Sequence, residues 1–148
     1  MKQFGCKSIH HRERANDLLR AYFQYLRACS KVSMPDVYTH VVNMPASRFW
    51  VSPSRALVAV SNILKGDRLL YMRPNKREMF YEIHRRVEEM QKKHVNLSLT
   101  KLIERVVCEP APKFYIAPGS ARAQILKAKK EWFEENTKRL KRLANSRI

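Results

Sequence analysis

Residues 45–56 read PASRFWVSPSRA, and residues 110–121 read PAPKFYIAPGSA. At a constant shift of 65 residues, Pro45, Ala46, Phe49, Pro53 and Ala56 meet identical residues at Pro110, Ala111, Phe114, Pro118 and Ala121. Arg48 meets Lys113, Trp50 meets Tyr115 and Val51 meets Ile116, so charge and shape are kept where identity is not. The register continues upstream without a gap: Val41-Val42 onto Val106-Val107, Ser33 onto Ser98, Arg12-Glu13 onto Arg77-Glu78. A shift held this far marks an internal duplication, which limits the chain to folds built from two like halves. We read a first three-helix repeat in residues 1–72 and a second in residues 73–148, packed pseudo-symmetrically as one compact body.

Each half reads as helix, helix, block, helix. Ala15, Leu18, Leu19, Tyr22, Leu26 and Cys29 recur at helical spacing and stripe one face. A second helix is expected at SMPD, with Ser33 as cap, Asp36 three residues on, and Val37, Tyr38 and Val41 on its apolar side. Ser52 followed by Pro53 is a serine cap with proline at the first helical position. That third helix would bury Ala56, Leu57, Val60, Ile63 and Leu64. In the second half, Asn75 with Glu78 reads as a cap for a helix carrying Phe80, Ile83, Val87 and Met90. Ser98 starts a short helix with Leu102, Ile103, Val106 and Val107. The last helix starts near Pro118 or Ser120 and shows Leu126, Phe133 and Leu140 at seven-residue spacing, a stripe for docking on the body or on a partner helix. Only three glycines occur, and no long run alternates β-branched with polar residues. The expected fold class is all-α.

Charge points toward a partner. Thirty Lys and Arg against thirteen Asp and Glu give +17. The excess is +8 over residues 1–74 and +9 over residues 75–148, so it belongs to both halves rather than to a tail. A folded body that repels itself this strongly implies a polyanion, and nucleic acid is the expected one. Three cysteines without framework spacing, and an opening MKQFGCKSIHHRERAND without an apolar core, suggest a reducing cytoplasm rather than secretion. No apolar run approaches a membrane span.

Alternation in the extended block puts Phe49 and Val51 on one side and Arg48, Trp50 and Ser52 on the other. The phenylalanines suit the core. A cation two residues from Trp or Tyr, twice over (Arg48 with Trp50, Lys113 with Tyr115), suits either core packing or a surface that meets phosphate and stacks on a base. The short helix, connector and following helix resemble a helix-turn-helix, although the connector is longer than that motif allows. The resemblance implies that the third helix of each half faces nucleic acid with Arg55, Asn62 and Lys65, and with Arg122, Lys127 and Lys130. The basic end, KRLKRLANSR, adds Lys138, Arg139, Lys141 and Arg142 as a clamp on a backbone. Through PASRFWVS, RPNKREMF and PAPKFY the chain is also similar, over most of its length, to short basic proteins of uncharacterised function encoded in gut bacterial genomes, a likeness that implies no activity.

Catalytic constellations are missing. Cys6, His10, His11 and Cys29 lack the paired spacing of a zinc site. There is no glycine-rich phosphate loop, nucleophile elbow or His-Glu-x-x-His, and the few acids do not cluster as two-metal nucleases require. The expectation is a non-catalytic DNA- or RNA-binding protein without metal or cofactor. The alternative is an accessory subunit of a nucleic-acid-processing complex, with Leu126, Phe133 and Leu140 contacting the larger protein.

Overall fold

A computed structural model describes residues 3–29, 31 and 34–146, with side chains from His10 onward apart from residues 30 and 32–35. Among the described residues there are six helices and no strand, so the protein is all-α: α1 (Gln3–Ala28), α2 (Met34–Val42), α3 (Pro53–Leu64), α4 (Pro74–Lys93), α5 (Leu99–Val107) and α6 (Pro118–Asn145). No helix among them is long and apolar enough to cross a membrane.

The helices form two compact units. One is Met1–Val41 with Pro118–Ile148, and the other is the continuous stretch Val42–Ala117. This partition differs from the division of the sequence at residue 72, because the last helix of each sequence half packs on the first helix of the other: α6 on α1, and α3 on α4.

In the discontinuous unit, α1 buries Leu18, Leu19, Ala21 and Tyr22, and α6 meets it with Ala121, Ile125 and Ala128. Small residues on α6 let the two helices approach closely. Trp132 extends the contact onto Phe23, ring centroids 6.0 Å apart, and Arg14 Nε donates to Gln124 Oε1 at 3.2 Å. The Tyr22 and Tyr38 rings stack at 6.1 Å. Thus α6 docks through its alanine face, while Leu126, Phe133 and Leu140 are left exposed. The expected cap at Ser33 lies outside the described residues.

In the continuous unit, Phe49, Val60, Leu69, Ile83, Leu102, Ile103, Val106 and Val107 are buried among α3, α4 and α5. Ser52 Oγ accepts from the Arg55 N–H at 3.3 Å and Pro53 opens α3, while Ser98 Oγ caps α5 through the Lys101 N–H. The cap expected at Asn75 is corrected: α4 starts at Pro74 with Arg73 as N-cap, whose side chain makes no capping bond. The fixed φ of proline suits the first helical position and moves the start two residues earlier. On α3 the buried residues are Ala56, Ala59 and Val60, with Leu64 exposed rather than buried.

The repeated blocks lie against each other inside this unit. The Ala46 N–H donates to the Ala111 carbonyl at 2.9 Å, and the Ala111 N–H returns to Ala46 at 3.0 Å. The Phe49 N–H reaches the Val107 carbonyl at 3.0 Å, and the Phe114 N–H reaches the Val42 carbonyl at 3.0 Å. These bonds satisfy backbone groups that no helix serves, which lets the two phenylalanines go inside.

The connector from α3 to α4 is equally fixed. Gly66, at φ +99, ends α3 in a Schellman arrangement: the Gly66 N–H bonds Ile63 O at 2.9 Å and the Asp67 N–H bonds Asn62 O at 3.0 Å. Asp67 Oδ1 accepts from the Leu69 N–H at 2.8 Å, Leu69 is fully buried, and the Tyr81 hydroxyl donates to the Arg68 carbonyl. A Cβ at position 66 would meet nothing within 4 Å, so its cost is backbone strain alone. Gly66→Ala should therefore lower the unfolding free energy by about 1 kcal/mol in urea denaturation.

Candidate nucleic-acid interface

The blocks expected to face a ligand spend their cations internally. The Arg48 guanidinium lies 5.3 Å from the Trp50 ring centroid and donates to the Phe49 and Val51 carbonyls at 3.1 and 3.3 Å. Lys113 lies 5.3 Å from the Tyr115 ring and pairs with Glu78 at 2.6 Å. Tyr115 stacks on buried Phe49 at 6.1 Å, and Arg86 lies over Phe49 at 5.0 Å while donating to the Pro110 carbonyl at 2.8 Å. Arg85 and Arg86 both hold Glu82, at 2.7 and 2.8 Å, keeping its carboxyl below the ordinary range. Arg48, Trp50, Lys113 and Tyr115 are half-buried, and the cation–ring pairs serve packing.

A different surface combines open charge with open apolar area. A groove of about 560 Å³ runs between α3 and the start of α4, lined by Ser54, Arg55, Val58, Ala59, Asn62, Tyr71, Met72, Arg73, Lys76 and Phe80. Three of these are cations and none is an acid. Arg55, Arg73 and Lys76 are exposed, and no side-chain ion pair engages them among the described residues. The first turn of α4 holds no acidic residue either, so the helix dipole adds to the positive potential there.

The groove follows from its local sequence. On α3, Ser54, Arg55, Val58 and Asn62 share the side away from buried Ala56 and Val60. In the connector, burial of Leu69 and a left-handed backbone (φ 55) there turn the next residues outward, leaving Tyr71 70% exposed. Pro74 then begins α4 at once and sets Arg73 and Lys76 on the opposite bank.

Of the residues expected from sequence, the groove brings together Arg55 and Asn62. Lys65, at the α3 C-cap, is exposed beyond the lining. Arg122, Lys127, Lys130, Lys138, Arg139, Lys141 and Arg142 are all exposed along α6, in the other unit. Tyr71, Arg73 and Lys76 were missed by sequence reasoning. Their signal was the run YMRPNK, where an aromatic and two cations flank a helix-starting proline. No group of three metal-ligating side chains occurs among the described residues, and the Cys6 side chain lies outside them.

The packing role of Tyr115 has a titration signature. Its backbone is left-handed (φ 55), unlike that of Trp50, and burial followed by the nearby Glu82 carboxylate pushes its phenol up to about 12. The folded state thus favours the neutral phenol. That contribution is full below the ordinary tyrosine value near pH 10 and is lost as pH climbs through about 12. Ultraviolet titration should show one phenol ionising near pH 12 that is absent from Tyr115→Phe. Comparison with protein-family profiles, curated proteins and solved structures finds no match to this chain.

Proposed function

We propose that this protein is a non-catalytic nucleic-acid-binding protein of the cytoplasm, with the groove between α3 and α4 as its principal contact. The observation that carries this reading is three exposed cations beside an exposed tyrosine, in a groove whose lining holds no acid. Arg55, Arg73 and Lys76 would neutralise phosphates, and Asn62 offers the donor–acceptor pair that reads a base edge. The exposed cations of α6, from Arg122 to Arg142, would add contacts without sequence information.

Binding of this kind depends on salt. Fluorescence anisotropy with labelled DNA and RNA should give log affinity falling linearly with log salt, with a slope near 0.9 per phosphate neutralised on B-DNA. Replacing Arg55, Arg73 and Lys76 together by Gln should weaken binding across sequences and reduce that slope by about two to three. No binding at low salt would refute the reading.

One observation favours a second reading, an accessory subunit that contacts a larger nucleic-acid-processing protein. Leu126, Phe133 and Leu140 are 45%, 51% and 64% exposed on α6, and Lys130 lies beside Leu126 and Phe133 at helical spacing. Such a stripe complements an acidic amphipathic helix. Changing all three to Ser should then abolish stoichiometric co-purification of an acidic partner while leaving oligonucleotide affinity unchanged. Retention of the same partner by the variant would exclude this role for the stripe.

A further inference from the structure

We infer that the groove between α3 and α4 takes an unpaired nucleotide of a single strand, its base against Tyr71 and its flanking phosphates on Arg55, Arg73 and Lys76. This inference rests on the nucleic-acid reading above and narrows it to one form of the polymer.

The lining makes two demands that a duplex does not meet together. Val58, Ala59, Met72, Phe80 and Tyr71 form apolar walls, with Val58 61% exposed and Tyr71 70% exposed. No ring or hydrogen-bond partner engages Tyr71 among the described residues. A phosphate backbone gains nothing from such walls. A base does, because every base has a flat face that stacks on an aromatic ring, and in a duplex those faces are already covered by neighbouring pairs. The cations supply the other half, since an uncharged flat ligand would leave three unpaired positive groups without counter-charge.

Size and stiffness agree with this ligand. A volume of about 560 Å³ falls within the range of clefts that hold small organic groups. The walls are held in place beforehand. Gly66 fixes the end of α3, buried Leu69 anchors the connector, and the Tyr81 hydroxyl ties Arg68 to α4. Little order remains to be lost when a base enters. Asn62 and Ser54, in the same lining, offer polar atoms to a base edge.

The test uses the full chain with a fluorescein-labelled thymidine strand of about ten nucleotides, a duplex of equal length, and thymidine monophosphate as competitor, all at low salt. The single strand should bind at least tenfold tighter than the duplex. Tyr71→Ala and Tyr71→Leu should weaken single-strand binding by about tenfold, within the range measured for loss of one stacked base, and leave duplex binding unchanged. Tyr71→Phe should bind as the wild type does. All three should melt with the wild type, because the side chain is largely outside the core. Equal affinity for strand and duplex, or indifference of strand binding to Tyr71→Ala and Tyr71→Leu, would overturn the inference while the basic-surface reading stands. Competition by the monophosphate as strong as by the strand would overturn it in favour of a free-nucleotide site. Failure to bind strand and duplex alike would overturn both readings.

Discussion

Two short extended segments, sealed to each other and to the ends of α2 and α5 by four backbone hydrogen bonds, underlie the organisation of the continuous unit. Neither segment belongs to a helix, so each would carry unpaired N–H groups into the interior if it stood alone. Ala46 and Ala111 answer each other, and Phe49 and Phe114 take the carbonyls of Val107 and Val42. With the polar atoms satisfied, both phenylalanine rings can be buried. Arg86 reinforces the arrangement from α4 by facing the Phe49 ring and the Pro110 carbonyl at once.

This use of the blocks explains how charge is distributed over the surface. Cations near the paired segments are drawn into structure: Arg48 toward the Phe49 and Val51 carbonyls, Lys113 toward Glu78, Arg86 toward Glu82. Each such pairing spends a positive group on holding the fold. The cations of the α3–α4 groove have no acid in their lining. Net charge alone does not separate these two populations. The neighbourhood of each guanidinium does.

Much of the helical architecture was legible in the chain. Serine caps at Ser52 and Ser98, the proline at position 53 and the apolar spacing of α4 and α5 identify elements that the structure contains. Burial also recurs at the 65-residue shift, at Leu18 and Ile83, Val41 and Val106, Phe49 and Phe114, and Val60 and Ile125. What the pattern did not disclose was partnership between helices. A stripe states that a helix has a buried side and not which neighbour covers it. The exposed leucines of α6 outweighed Ala121 and Ala128, since alanine carries little hydrophobicity though it permits close packing. The groove was half visible for a similar reason. Arg55 and Asn62 project from a readable helix, whereas Tyr71 faces outward only because Leu69 adopts a left-handed turn, which no periodicity announces.

The division of the chain also orders events during synthesis. Val42–Ala117 is uninterrupted, so every residue of that unit has been made before α6 exists. The first helix is completed much earlier, yet Leu18 and Tyr22 on its apolar face pack in a unit closed by residues beyond Pro118. On the ribosome Val42–Ala117 can condense before α6 arrives to pack on α1. The interval during which α1 needs protection is set by the length of the segment inserted between the two helices.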